Sequence, residues 1–451
     1  MTQGINKTVI AGLVVLGVFL VVIPAQAAIQ DLEIRGQVAN ETKGGQDYLD
    51  LSGKSVSWHP RNFAGFFYEI NDELGSERLT ILDSASLIGT RTIFPDKLLY
   101  STSGDNRMLN VVKYPFNGNY YAAVRAGLLG FQAGSMSSEN GKYKAVGWQG
   151  EKYIAVKNKT NKLSKPIIEL GPYDKKILSV GENWDMGAGW QLTIQSIDAK
   201  SSPRQVWLVL SKDGMKVDDK VLYQGKIYTY VMKSLAGETD VPVFVTYIGQ
   251  VFAGATSDMV QLSYTWAIDA NVMEVKAGDG FGVFTAAKAD GSIIELRNSK
   301  SPITLGKDSI IGLVGNIKFR VANTDVLRFY PIINVKLPGA RGWTANETAG
   351  PKGNLDLSSG TVSWQSQNFA GLFYDPVDGF GNENLEIIDS ASLIVTRTIS
   401  PDKLKYSTRG DNKMMTVVRY PFNGNCDAAQ RAGLLEFQAG SMSSEACKYR
   451  I

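Results

Sequence analysis

His59, in the stretch SWHPRNF, is the only histidine of the 451-residue chain. A Ser–His–Asp or Cys–His relay needs an imidazole to take the nucleophile's proton. A second stretch, SWQSQNF, puts Gln365 at the same place, so His59 reads as a loop residue. Cys426 and Cys447 are the only cysteines, and two thiolates without a second histidine do not make an ordinary zinc site. In an oxidising exterior the pair can bridge, and two lone thiols are the alternative. The neighbouring acids Asp218 and Asp219 have the residue type of a glycosidase pair, but they stand beside a turn, where solvated acids are common. GDGFG at Gly278 spaces glycines like a dinucleotide loop; no helical pattern follows, so a turn is expected. DPVDGFGNENLE, Asp375 to Glu386, clusters oxygen ligands as a calcium loop does. Its spacing is not that of an EF-hand, and the parallel stretch reads EINDELGSERLT. The expectation is no catalytic residue, no cofactor and no metal site.

Beyond residue 27, three N-x-Ser/Thr triplets remain, at Asn40, Asn158 and Asn346; a fourth, at Asn6, lies in the leader and is discounted. They are glycosylation candidates if the chain is exported. Asn40 and Asn346 fall at equivalent positions of a repeat, which predicts the same exposed loop for both.

The elements that would position these residues follow from composition and pattern. The 47 basic and 44 acidic residues leave a net charge of +3, without the concentrated basic face of a nucleic-acid binder. One cation, Lys7, precedes an uncharged apolar run from Val9 to Ile23, then Pro24 and the triplet Ala25-Gln26-Ala27. This order is that of a secretory signal, so residues 1–27 are expected to be removed and the mature chain to start near Ala28. No other run approaches the roughly 18 apolar residues that span a bilayer, so no C-terminal anchor is expected within these residues.

A shift of 306 positions carries Trp58 onto Trp364. RGQVANET returns as RGWTANET, VSWHPRNFAGFFY as VSWQSQNFAGLFY, and DSASLIGTRTIFPDKLLYSTSGDN as DSASLIVTRTISPDKLKYSTRGDN. The match runs without a gap from Arg35 to Tyr143. So long a period means duplication of a whole domain rather than a solenoid repeat. The expected organisation is a complete unit, 28–339, and the N-terminal part of a second, 340–451, joined at Pro338-Gly339. Trp190-Gln-Leu-Thr-Ile-Gln195 alternates with period two, and QVWLVLSKDGMKV runs into an Asp213-Gly214 turn. VPVFVTYIGQVF and MVQLSYTWAI are β-branched and aromatic. No stretch of about 12 residues has a helical period outside the signal. An all-β fold is expected, each full unit dividing into two β-sandwiches.

VSWHPRNFAGFFY, GWQGEKYIAVKNKTNKLSKPIIE, VFAGATSDMVQLSY, GDGFGVF and KFRVANTDVLRFYPI, in that order after a signal, resemble the duplicated-domain S-layer proteins of methanogenic archaea. The resemblance implies tandem units, each a pair of β-sandwich subdomains, that tile a porous lattice outside the membrane by associating with other subunits. Members end in a polar spacer and a membrane helix, so the resemblance also implies a chain cut within its second unit. The expected localisation is the cell surface, or secretion where the anchor is missing. The competing readings are a soluble accessory or adhesin of the envelope and a secreted carbohydrate-active enzyme.

Overall fold

The computed structural model describes residues 31–41, 48–70, 72–198, 200–253, 257–336, 342–347, 354–369, 371–375, 381–410, 412–434 and 447–450. The expected signal at 1–27 and the Pro338-Gly339 junction lie outside them. The described residues are mostly strand, and the longest helix is Tyr120–Ala126. The period-two reading of Trp190–Gln195 holds: Trp190, Leu192 and Ile194 are buried, while Gln191 and Thr193 are half-buried and Gln195 is exposed. Asp213 and Gly214 both take positive φ, as a two-residue hairpin turn requires.

Within residues 31–336 two hydrophobic cores form, and each fills a sandwich. The first lies between two six-stranded sheets. One sheet orders Ile310–Val314, Ile317–Val321, Arg328–Lys336, Ala39–Asn40 and Leu49–Asp50, with Asp31–Arg35 also on the Arg328–Lys336 strand. The other orders Gly280–Phe281, Phe284–Ala289, Ile294–Arg297, Leu98–Thr102, Arg78–Ile81 and Val56–Trp58. Trp58 joins the two, its ring centroid 5.4 Å from Phe319 and 5.8 Å from Phe329. A fully buried indole adds about 2–3 kcal/mol of apolar burial at such a seam.

The second core is closed by an eight-stranded sheet, built on Glu238–Phe252 and Met259–Glu274, and a four-stranded one from Asn183–Gly187 to Met215–Tyr223. Chain order and space do not coincide here. Residues of the second core run from Leu109 to Ile268, whereas the first draws on both sides of that span, from Ile34 to Tyr100 and from Val275 to Ile333. The second sandwich is thus inserted in the first, and the Gln224-Gly225 turn crosses between sheets rather than closing a hairpin. The Lys142–Trp148 strand serves both: Tyr143 and Ala145 enter the second core, Val146 and Trp148 the first.

Glu77 holds this crossing. Its carboxylate accepts hydrogen bonds from the amide of Phe67 at 2.8 Å, the hydroxyl of Tyr100 at 2.7 Å and the amide of Gly150 at 3.0 Å. The side chain is fully buried, and burial pushes its carboxyl up to about 7, against the three donors that favour the ionised form.

The second unit repeats in miniature the sheet that holds Val56–Trp58, Arg78–Ile81 and Leu98–Thr102. Thr361–Gln365, Asn384–Ile388 and Leu404–Ser407 lie in that order, with Trp364 opposite Leu385 and Leu385 opposite Tyr406. The first unit pairs Trp58 with Leu79 and Leu79 with Tyr100. The Trp58 indole donates to Gln37 O at 2.7 Å, and the Trp364 indole to Trp343 O at 2.7 Å.

Because the folded Glu77 carboxyl binds its proton more tightly than the unfolded one, its contribution is full below about pH 4.5 and is lost as pH rises toward 7. Denaturant titrations of the first unit should therefore lose up to about 3 kcal/mol across that window. Glu77→Gln should flatten the slope; an unchanged slope in the variant would assign it to another group.

Candidate functional site

The residues with catalytic potential are placed apart. His59 sits in a tight loop: its amide donates to Asn62 Oδ1 at 2.7 Å, and its ring Nδ1 accepts from the Arg61 amide at 3.2 Å. Gln365 closes the equivalent loop through Asn368 Oδ1 at 2.7 Å, so the turn depends on the asparagine and not on the imidazole. Asp218 and Asp219 are consecutive on one strand and point to opposite faces. Asp218 accepts from the Tyr228 hydroxyl at 3.1 Å, and Asp219 from the Trp207 indole at 2.8 Å. They cannot flank one glycosidic bond. GDGFG forms a turn into the Gly280–Phe281 and Phe284–Ala289 strands, as expected. Among the described residues, a cleft beside Phe131, Tyr143 and Trp266 carries one carboxylate, Glu139, where a glycosidase needs two.

Of the Asp375–Glu386 segment, residues 376–380 lie outside the described residues. Asp375 is buried against Lys413, and Glu383 accepts from the Phe373 amide and the Tyr406 hydroxyl, both at 2.5 Å. Both acids are held by the polypeptide itself.

The expectation of a shared exposed loop for Asn40 and Asn346 is corrected. Asn40 ends the Ala39–Asn40 strand, paired in parallel with Asp50, and is buried. Asn346 ends Thr344–Asn346, paired in parallel with Asp356, is half-buried and donates to Glu73 Oε1 at 3.1 Å. The positions are equivalent, and each triplet begins at the end of a short strand paired in parallel. Asn158 differs: it is exposed, at the end of the Val156–Asn158 turn with φ of 59°. Its Thr160 is fully buried, the hydroxyl donating to Ser103 O at 2.9 Å.

Cys426 and Cys447 are joined as a disulfide, Cα to Cα 5.7 Å. Their counterparts are Tyr120 and Gly141, where the phenol ring lies against the bare Cα: a Cβ on Gly141 would come within 3.1 Å of it. Cys447 keeps the positive φ of Gly141, and its carbonyl accepts from the Met415 amide at 3.1 Å as Gly141 does from Leu109 at 3.0 Å. A covalent bond replaces a ring-on-glycine contact.

What sequence reasoning missed is the junction between the units. Arg35 is buried, and its guanidinium donates to the carbonyls of Ser366 and, at 3.2 Å, Leu372. The same group lies 4.8 Å from the centre of the Tyr374 ring, which meets Tyr330 edge-on at 6.5 Å. Val38 and Ile332 complete this small apolar patch. Burial lowers the Arg35 guanidinium to about 10, still charged at neutral pH, while burial raises the Tyr330 hydroxyl to about 12. A buried cation is tolerable only where carbonyls and a π-face take the place of water. No motif marks Arg35 or Tyr374; the only signal was that Tyr374 repeats Tyr68, which is half-buried and lines a shallow surface hollow with His59.

The profile of the S-layer protein family matches residues 49–323, across both sandwiches. The chain belongs to that family. It is 31% identical over 404 residues to the major S-layer protein of Methanosarcina barkeri, covering 86% of this chain and 54% of the relative. Against the major S-layer proteins of Methanosarcina acetivorans and Methanosarcina mazei the identity is 28% and 29%, over 88% of this chain and 56% of each relative. The chain therefore spans about half the length of these curated relatives.

Two measurements check the junction. A double-mutant cycle of Arg35→Ala with Tyr374→Ala should return a coupling of about 1–2 kcal/mol in stability; additive effects would mean that the pair does not hold the units together. Reduction of Cys426–Cys447, a bridge of sequence separation 21, should destabilise the 412–450 segment by about 3 kcal/mol and speed its proteolysis, with the first unit unaffected.

Proposed function

We propose that this chain is a structural protein of the cell surface, exported and incorporated laterally into a porous S-layer beside other subunits. The observation that carries the reading is the family match across both sandwiches of the first unit. Physical features support it. Two cores braced by one shared sheet make a stiff block, which suits a surface that bears load. Asp218 and Asp219 face opposite sides of one strand and His59 is held in a tight turn, which supports a role without catalysis. The Arg35–Tyr374 contact is one instance of how two such units meet.

In this reading residues 1–27 direct export, and the working chain is 28–339 followed by 340–451. Of the three sequons, Asn158 presents its side chain outward and is the favoured glycan acceptor. Because the Thr160 hydroxyl is engaged in the folded unit, a transferase that reads that hydroxyl must act before the sandwich closes.

The purified chain, applied to archaeal envelope fragments or a lipid monolayer, should form ordered patches by negative-stain electron microscopy. N-terminal sequencing should begin near Ala28. A chain that stays monodisperse at high concentration, ignores envelopes and hydrolyses a polysaccharide would overturn the proposal.

A further inference from the structure

The first unit leaves one long strand paired on a single side. Among the described residues Met215–Tyr223 pairs only with Gln205–Lys212 and ends the four-stranded sheet. This edge belongs to a closed unit: it lies inside the second sandwich, and the strands at the unit's two ends, Asp31–Arg35 and Arg328–Lys336, pair with each other. The register runs without a break from Tyr223 opposite Gln205 to Asp218 opposite Leu210, and shifts only beyond Leu210. From Asp218 to Tyr223 the backbone is therefore regular, and alternate residues turn their N–H and C=O groups away from the sheet.

The outward face of this edge is apolar. Trp207 and Val221 stand opposite each other and are 36% and 59% exposed; Tyr223, opposite Gln205, is 39% exposed. Asp219 shares that face, its carboxylate accepting from the Trp207 indole at 2.8 Å and pairing with Lys216 at 2.6 Å. Lys226 lies 5.1 Å from the centre of the Tyr223 ring, and the Tyr223 hydroxyl has no hydrogen-bond partner among the described residues. An edge strand with unpaired backbone and apolar side chains is a template for a further strand.

A second copy of the chain fits this template in one register. Two identical edges that pair antiparallel about a two-fold axis set the residue on the axis against itself. With Asp218, Asp219 or Lys220 on the axis, like charges oppose each other directly, which destabilises a ladder. With Leu222 there, the strands overlap only over 221–223. With Val221 on the axis, the two valines meet, each Tyr223 stands opposite Asp219 of the other copy, and each Lys220 opposite its Leu222. No like charges are opposed, the Tyr223 hydroxyl gains a carboxylate, and Trp207 and Val221 of both copies line up as one apolar row across the seam. We propose that the Met215–Tyr223 edge pairs with the same edge of a second copy about a two-fold axis through Val221, joining the two four-stranded sheets into one. The inference rests on the reading that copies of this chain lie side by side, and it names a surface by which they touch.

The test is cysteine cross-linking of the full chain under mild oxidation, read on non-reducing gels. Cys426 and Cys447 are joined to each other, so an introduced cysteine is the only free thiol. Opposed residues of an antiparallel ladder have Cα atoms about 4.5–5.5 Å apart, within reach of a disulfide. Val221→Cys should give a disulfide-linked dimer. Asp219→Cys, which meets itself only in a register with opposed charges, should give at least about tenfold less, yet should cross-link to Tyr223→Cys when the two chains are mixed. In sedimentation equilibrium, Val221→Lys should weaken dimerisation at least about tenfold with an unchanged circular dichroism spectrum, and Val221→Ile should retain the dimer. No cross-link from Val221→Cys, an equal yield from Asp219→Cys alone, or a dimer indifferent to Val221→Lys would overturn the proposal. Ordered arrays formed without the Val221→Cys cross-link would overturn this contact and leave the lattice reading in place. The cross-link without arrays would support the contact and count against the lattice reading.

Discussion

The first sandwich cannot exist until the two ends of its unit meet. Asp31–Arg35 pairs with Arg328–Lys336 in the register Asp31 to Lys336 through Arg35 to Ile332, with the whole second sandwich lying between them in sequence. Closing so long a loop is only modestly more costly than closing a short one, because the entropy grows with the logarithm of length. The inserted sandwich reduces that cost further by folding as its own core and bringing its ends together. Trp58 against Phe319 and Phe329, and Leu98–Thr102 against Ile294–Arg297, are then consequences of one closure.

The duplication sets two carboxylates with shared donors in different burial, Glu77 having the Gly150 amide as an additional donor. Glu77 and Glu383 each accept an amide, from Phe67 or Phe373, and a phenol, from Tyr100 or Tyr406. Burial drives the Glu77 carboxyl up, while the Tyr406 hydroxyl and the Phe373 amide hold Glu383 below the usual carboxylate range. The same donors give opposite outcomes because Gly150 and Trp148 roof the first site, and Tyr100 lies 5.6 Å edge-on from Trp148. A hydrogen-bond motif alone therefore does not fix protonation; the dielectric around it does.

This contrast also explains what was legible in the sequence. Strand periodicity, the Asp213-Gly214 hairpin and the long repeat follow from local pattern, and local pattern survives in the fold. The nesting of one sandwich in the other does not, because a strand such as Lys142–Trp148 that serves two cores has the same apolar, β-branched look as one serving a single core. The sequons show the limit from the other side. The Asn40 triplet has the composition of a loop, but its asparagine is a buried strand end paired with nearby Asp50 and with Arg328 from a distant part of the chain. The junction was the least visible of all: Arg35 is an ordinary arginine until Ser366, Leu372 and Tyr374 surround it.

A chain made of such units presents its surfaces twice. Each copy of the repeat carries the same loops and turn conformations, so a contact that works once is available again at the equivalent position of the other copy. Divergence then decides which contacts are kept. Tyr374 is buried under Arg35 while its twin Tyr68 stays at the surface, and Lys405 gives a charge to an edge where Leu99 gave none. Charged edges discourage indiscriminate strand pairing, so this substitution lowers the risk of aggregation.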